Sequence, residues 1–242
     1  MSREVRIALL ILPIVLGAVV LLVIDPIPQD QAYHDFADTR TVAGIANFGD
    51  VVSNLAFVLV GLWGLSLRPP TDYTVFFFGL FLTGIGSAYY HLDPTDASLA
   101  WDRAPMTVAF MGLLCALIRE RVSERWGRRL LWPLVAFGLW SVWYWSQTDD
   151  LRPYALAQYG PLLCVLLLLL LFPAPSRPIW LAGIGYAAAK VAEFLDHAVL
   201  DGTGVVSGHN LKHVFAALGT AAIAWMIAQR RREARTPAGK TT

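Results

Sequence analysis

Two histidines four residues apart, His209 and His213, open the last long apolar segment of the chain. On an α-helix that spacing puts both imidazoles on one face about a turn apart, from which they can reach one metal ion. His91 closes an earlier apolar segment, and Ser87, four residues before it, shares its face. Asp102 follows after a short loop, at the start of the next segment. Three histidines with one position left open is the arrangement of a hydrolytic zinc rather than of a closed structural site. The same residues also carry plainer readings. A histidine at a helix end is often a hydrogen-bonded boundary residue, and an HxxxH pair need not hold a metal. Asp102 followed by Pro105 reads equally as an ordinary helix start.

The elements that must position these residues are membrane-spanning helices. Of 242 residues, 56% are hydrophobic and 15% charged, well below the quarter or so expected of a soluble domain. The apolar residues cluster into eight segments, roughly 7–24, 50–67, 74–91, 102–118, 130–146, 154–173, 179–197 and 208–228, several of them able to cross a hydrocarbon core of ~30 Å. Connections are short. The fold expected is an all-α, polytopic membrane bundle, with an N-terminal helix and loop over 1–30, a helical membrane domain over 31–229 and a polar, disordered tail over 230–242. The first segment follows Arg3 and Arg6 as a signal peptide would. It is longer than a typical h-region, however, and no small-x-small cleavage pattern precedes Asp25, so a retained helix is expected.

Charge placement supports the count. With eight alternating helices, Arg3, Arg6, Arg68, Arg119, Arg121, Arg125, Arg128, Arg129, Arg177, Arg230, Arg231 and Arg232 all fall on one side. Most loop aspartates fall on the other, with Arg40 and Arg152 as exceptions. The positive-inside rule then puts both termini in the cytoplasm and all five histidines near the opposite face. In a bacterial inner membrane that face is the periplasm. The net charge of +1 gives no case for a nucleic-acid partner. Cys115 and Cys164 both lie inside apolar runs and read as packing residues, not as a disulfide or metal pair. Ionisable residues inside spanning segments are costly and point to function or to internal pairing. Lys190, Glu193, Asp196 and His197 fall in the seventh segment. Lys190 and Glu193, three apart, can pair there or shape the pocket around the metal. Lys212 falls on a different face from His209 and His213 and takes no assignment.

Residues 84–91 (GIGSAYYH), 102–106 (DRAPM) and 208–213 (GHNLKH) together resemble the signature of the alkaline ceramidase family, and Asn54 after Ser53 matches a further family position. The wider superfamily includes the progestin and adiponectin receptors, and the Asp-x-x-Pro-Met form favours the ceramidase branch. The resemblance spans about 36–225. It implies zinc held by His91, His209 and His213, with Asp102 handling the attacking water and Ser87 assisting at the oxyanion. It also implies a seven-helix core, to which this chain adds an N-terminal helix. Family members can bind calcium through acidic residues ahead of the helix beginning near Asp50. Asp35 and Asp38 are the candidates here, with Asn47 where an acidic residue is expected, against the plainer reading of a solvated acidic loop.

Three functions follow in order of preference. The first is a zinc-dependent amidase cleaving the N-acyl bond of ceramide or a related N-acyl lipid entering from the bilayer. The second is a receptor-like lipid sensor with structural zinc. The third is a transporter using Lys190, Glu193 and Asp196, which no matched pair of broken helices supports.

Overall fold

The chain folds as an all-α bundle of rods joined by short loops. The computed structural model describes residues 1–175 and 177–235. In chain order the helices are α1 (Arg3–Val23), a 3-10 turn (Gln31–His34), α2 (Phe48–Ser53), α3 (Leu55–Ser66), α4 (Thr71–Leu92), α5 (Asp96–Arg121), α6 (Glu124–Thr148), α7 (Arg152–Leu171), α8 (Arg177–Phe194), α9 (Asp196–Thr203) and α10 (Gly208–Arg235). Among the described residues six helical spans are long and apolar enough to cross a membrane: α1, α2 with α3, α4, α5, α7 and α10. This is a multi-pass membrane protein. The eight segments of the sequence all form rods, but α6 and α8 fall short of that apolar standard. α6 begins with Glu124, Arg125, Arg128 and Arg129, and α8 carries Arg177, Lys190 and Glu193.

Two predicted segments are interrupted. The run 50–67 breaks at Asn54, whose side-chain amide donates to the Asp50 carbonyl at 2.8 Å. The run 179–197 breaks at Leu195, and Asp196 then opens α9. Asp102 is not the start of its helix. A capping box of Thr95 and Ser98 begins α5 six residues earlier, so Asp102 sits inside a spanning helix at 8% exposure. The expected disordered tail from Arg230 is helical as far as Arg235 because α10 continues; the rest of that expectation, 236–242, lies outside the described residues.

Ion pairs identify one end of the bundle. Arg119 pairs with Asp72, Arg230 with Glu120 at 2.6 Å, and Arg121 donates to the Phe172 carbonyl at 2.7 Å, joining the ends of α4, α5, α7 and α10. The histidines lie at the opposite end. Between the two, α4 lies against α5 and α8 against α10, with α3 and α6 on their flanks and α1 along α7. Small residues set these separations, as expected where lipid supplies no hydrophobic drive between helices. At Gly79 and Gly112 a Cβ would strike the backbone of the facing helix, α5 and α4 respectively. At Gly86 it would strike the Trp101 carbonyl, one turn before Pro105, a residue with no N–H to bond that oxygen. Gly185 and Gly219 bring α8 and α10 together in the same way.

The close α4–α5 approach carries a direct expectation. Gly79→Val should destabilise the detergent-solubilised protein by about 1–3 kcal/mol, the usual range for overpacking. Gly17→Val on α1, where a Cβ meets nothing within 4 Å, should leave thermal unfolding nearly unchanged.

Candidate metal centre

α4 ends with His91 and α10 begins with His209 and His213, and the packing of their ends brings the three imidazoles together. All three are buried, at 1%, 4% and 2% exposure. One ring nitrogen from each lies within 4.8 Å of the others. His91 Nε2 and His209 Nε2 are 3.2 Å apart. Tetrahedral zinc with bonds of 2.0–2.1 Å separates neighbouring nitrogens by about 3.3–3.4 Å, so that spacing suits two ligands of one ion. Three histidines close enough to bind a metal are therefore present.

One hydrogen bond orients the His213 ring, and others fix the backbone and side chains around the cluster. His213 Nδ1 lies 2.7 Å from Ser53 Oγ, whose own proton goes to the Asp50 carbonyl at 3.1 Å. The hydroxyl must then accept from Nδ1–H, which leaves the Nε2 lone pair of His213 free for an ion. The backbone N–H of His209 donates to Asp196 Oδ1 at 2.7 Å, and Asp196 Oδ2 accepts from Ala37 N at 3.0 Å. Asn210 Nδ2 donates to Asp50 Oδ1 at 2.5 Å. Phe36 covers the cluster edge-on, its ring centroid 4.6 Å from that of His91 and 4.5 Å from that of His209. His91 Nδ1 has no hydrogen-bond partner.

Ser87 and Asp102 meet across α4 and α5. The Ser87 hydroxyl lies near the Asp102 carboxylate, and both side chains are buried. Because Ser87 shares its face of α4 with His91, the pair sits one turn from the histidine cluster.

The remaining predicted residues divide. Lys190 and Glu193 form the expected ion pair, and Glu193 also binds Lys212 Nζ at 2.5 Å, tying α8 to α10. Lys212, left unassigned by helical geometry alone, is held by Glu193 and lies next to His213, on the helix that carries two of the three histidines. Asn54 is fully buried at the α2–α3 break. The calcium set is not assembled. Asp35 is exposed. Asp38 gives one oxygen to Arg40 Nε and the other to Arg40 Nη2, each at 2.7 Å, and this guanidinium holds its carboxyl below the usual carboxylate range. Asn47 Nδ2 donates to the His91 carbonyl at 2.8 Å. The loop over 36–47 instead braces the histidine cluster, with Arg40 also reaching the Val205 carbonyl at 2.5 Å. His34 bonds Tyr90 and Asp96, and His197 is exposed; neither joins the cluster.

An apolar cavity of about 470 Å³ opens one turn deeper in the bundle, within the size range of ligand pockets. Thr83, Met106 and Ala216 line it, each three or four residues beyond Ser87, Asp102 and His213 on α4, α5 and α10. Phe57 belongs both to this lining and to the packing on His213, at a ring distance of 5.8 Å.

No protein-family model matches this chain, and no curated protein matches it. What fold and site define together is a multi-pass helical membrane protein with a buried three-histidine cluster above an apolar cavity.

Ser53 is the second support the sequence did not single out for the metal. Ser53→Ala should weaken metal affinity about 10- to 100-fold, measured by competition with a chelator, while the fold is retained.

Proposed function

We propose that the protein is a zinc-dependent amidase of membrane lipids that hydrolyses an N-acyl bond to a free fatty acid and an amine, as its resemblance to alkaline ceramidases implies. The observation that carries this reading is the joining of three features at one level of the bundle. These are the three-histidine cluster, the buried Ser87–Asp102 pair and the apolar cavity beginning one turn away.

His91, His209 and His213 would hold the ion, leaving a fourth position for water. Zinc bound there supplies an acidified water and a Lewis acid for the amide carbonyl. Asp102 is the group available to take the proton from that water as oxygen attacks the carbonyl carbon. It then delivers the proton to nitrogen as the C–N bond breaks, so that water and amide become carboxylic acid and amine. Ser87, beside Asp102, can donate to the developing oxyanion. The cavity accepts the acyl chain, bordered by Phe57, Met106, Phe110 and Tyr186, so a lipid reaching it laterally presents its amide to the cluster. By the positive-inside rule the arginine-rich end lies in the cytoplasm with both termini, and the histidine end faces the other side.

A panel of N-acyl lipids, ceramide included, scored for released fatty acid tests this directly. The wild type should hydrolyse at least one of them. Asp102→Asn should lower kcat by about 10²- to 10⁴-fold with metal content unchanged, whereas His213→Ala should lose both metal and activity. Bound zinc with no fatty acid released from any member would overturn the amidase in favour of a lipid sensor.

A further inference from the structure

Arg103 follows Asp102 on α5, in a spanning helix, and is 5% exposed. A guanidinium carries only donors and stays charged at any pH a protein meets. Yet among the described residues no carboxylate forms an ion pair with it, and its Nη1 is buried without a hydrogen-bond partner. Three rings hold it instead. Its central carbon lies 4.3 Å from the ring centre of Trp145 on α6, 4.6 Å from that of Tyr154 on α7 and 5.3 Å from that of Tyr33 in the 3-10 turn. Cation–π contacts of this kind offset part of the cost of burying the charge. They do nothing for an N–H that needs an acceptor.

The indole beside it has the same deficit. Trp145 is 2% exposed and its Nε1 is also buried without a partner. Arg103 and Trp145 thus bring two unpartnered donors from two adjacent helices, both residues at least nine-tenths buried, and such donors suit an oxygen that bears negative charge. A structural cage would leave both donors desolvated and unpaired. An oxyanion bridging them would turn both deficits into charge-assisted hydrogen bonds.

The location suggests whose oxyanion. Asp102 and Arg103 are consecutive, so their side chains leave α5 about 100° apart at the same depth. The acyl cavity begins one turn inward, at Met106. Tyr33, 41% exposed, marks the outward edge of the cage at the histidine end. Lys212 is close enough for its charge to act on both Tyr33 and Asp102. A lipid with its chain in the cavity and its amide at the cluster must direct its amine portion to this outward side. We propose that Arg103 and Trp145 form an oxyanion-binding subsite that selects N-acyl substrates whose amine portion carries a carboxylate, sulfonate or phosphate. The substrate class rests on the amidase reading above; the subsite itself does not.

The test compares N-palmitoylglycine and N-palmitoyltaurine with neutral N-palmitoylethanolamine and ceramide, using the full chain in nanodiscs. The wild type should favour the anionic pair in kcat/KM. Arg103→Gln and Trp145→Phe should reduce that preference by about 10- to 100-fold, through KM, with the neutral substrates little changed. Trp145→Phe keeps an aromatic face for the guanidinium and removes only the N–H, so a cage with a purely structural role predicts no change in preference. Equal losses on both substrate classes, or a wild type that favours the neutral pair, would overturn the proposal. If no substrate is cleaved, the amidase reading fails and binding decides the subsite alone. Decyl phosphate should then bind more tightly than decanol, by a margin that Arg103→Gln removes; equal binding would overturn it.

Discussion

Polar groups placed inside a membrane bundle must find partners within the protein, because hydrocarbon offers none. That constraint organises the histidine end. Three imidazoles are crowded between α4 and α10, and several polar groups around them brace the cluster. Ser53 takes His213 Nδ1, and Asp196 takes the His209 backbone N–H. Asn210 joins Asp50, and Asn47 takes the His91 carbonyl. The nitrogens that remain face one another, His91 and His209 across 3.2 Å. Ring nitrogens that converge in this way are close enough to hold one metal ion, which satisfies several lone pairs at once.

The rest of the bundle serves this placement. Glycines let α4 and α5 approach so that Ser87 lies near Asp102, and let α8 approach α10 where Glu193 bridges Lys190 and Lys212. The helical interruptions follow the same need. At Asn54 the chain breaks beside Ser53, the residue that orients His213. At Leu195 it breaks before Asp196, whose carboxylate anchors both the start of α10 and the loop carrying Phe36. Deeper in, the same four helices wall the apolar cavity together with α3 and α7, so one set of packing distances fixes both the polar cluster and the chain-sized space beneath it.

The spacing of His209 and His213 was legible because helical periodicity is local, and the rods were legible because membrane spans are long apolar runs. What escaped was set by contacts between distant segments. Ser53 lies 160 residues from His213, and nothing near it in sequence signals the pairing. Asp50 is fully buried inside an apolar run and could have been flagged on cost alone. Helical geometry turns Lys212 from the histidines, whereas its long side chain still reaches Glu193 on the neighbouring helix. Asp102 looked like a helix start because Pro105 follows it. The capping box at Thr95 and Ser98 was the better signal, and it moves Asp102 into the membrane. The family resemblance offered the acidic loop as a calcium site, against the plainer reading of a solvated loop. Arg40, two residues from Asp38, already carried the counter-charge.

Zinc K-edge absorption on the purified wild-type protein tests the central claim most directly. One zinc per chain with an all-nitrogen-and-oxygen shell near 2.0–2.1 Å, three of its ligands scattering as imidazole, is the expected spectrum. Absence of bound zinc after purification in zinc-replete, chelator-free buffer, or a shell containing sulfur at about 2.3 Å, would contradict it.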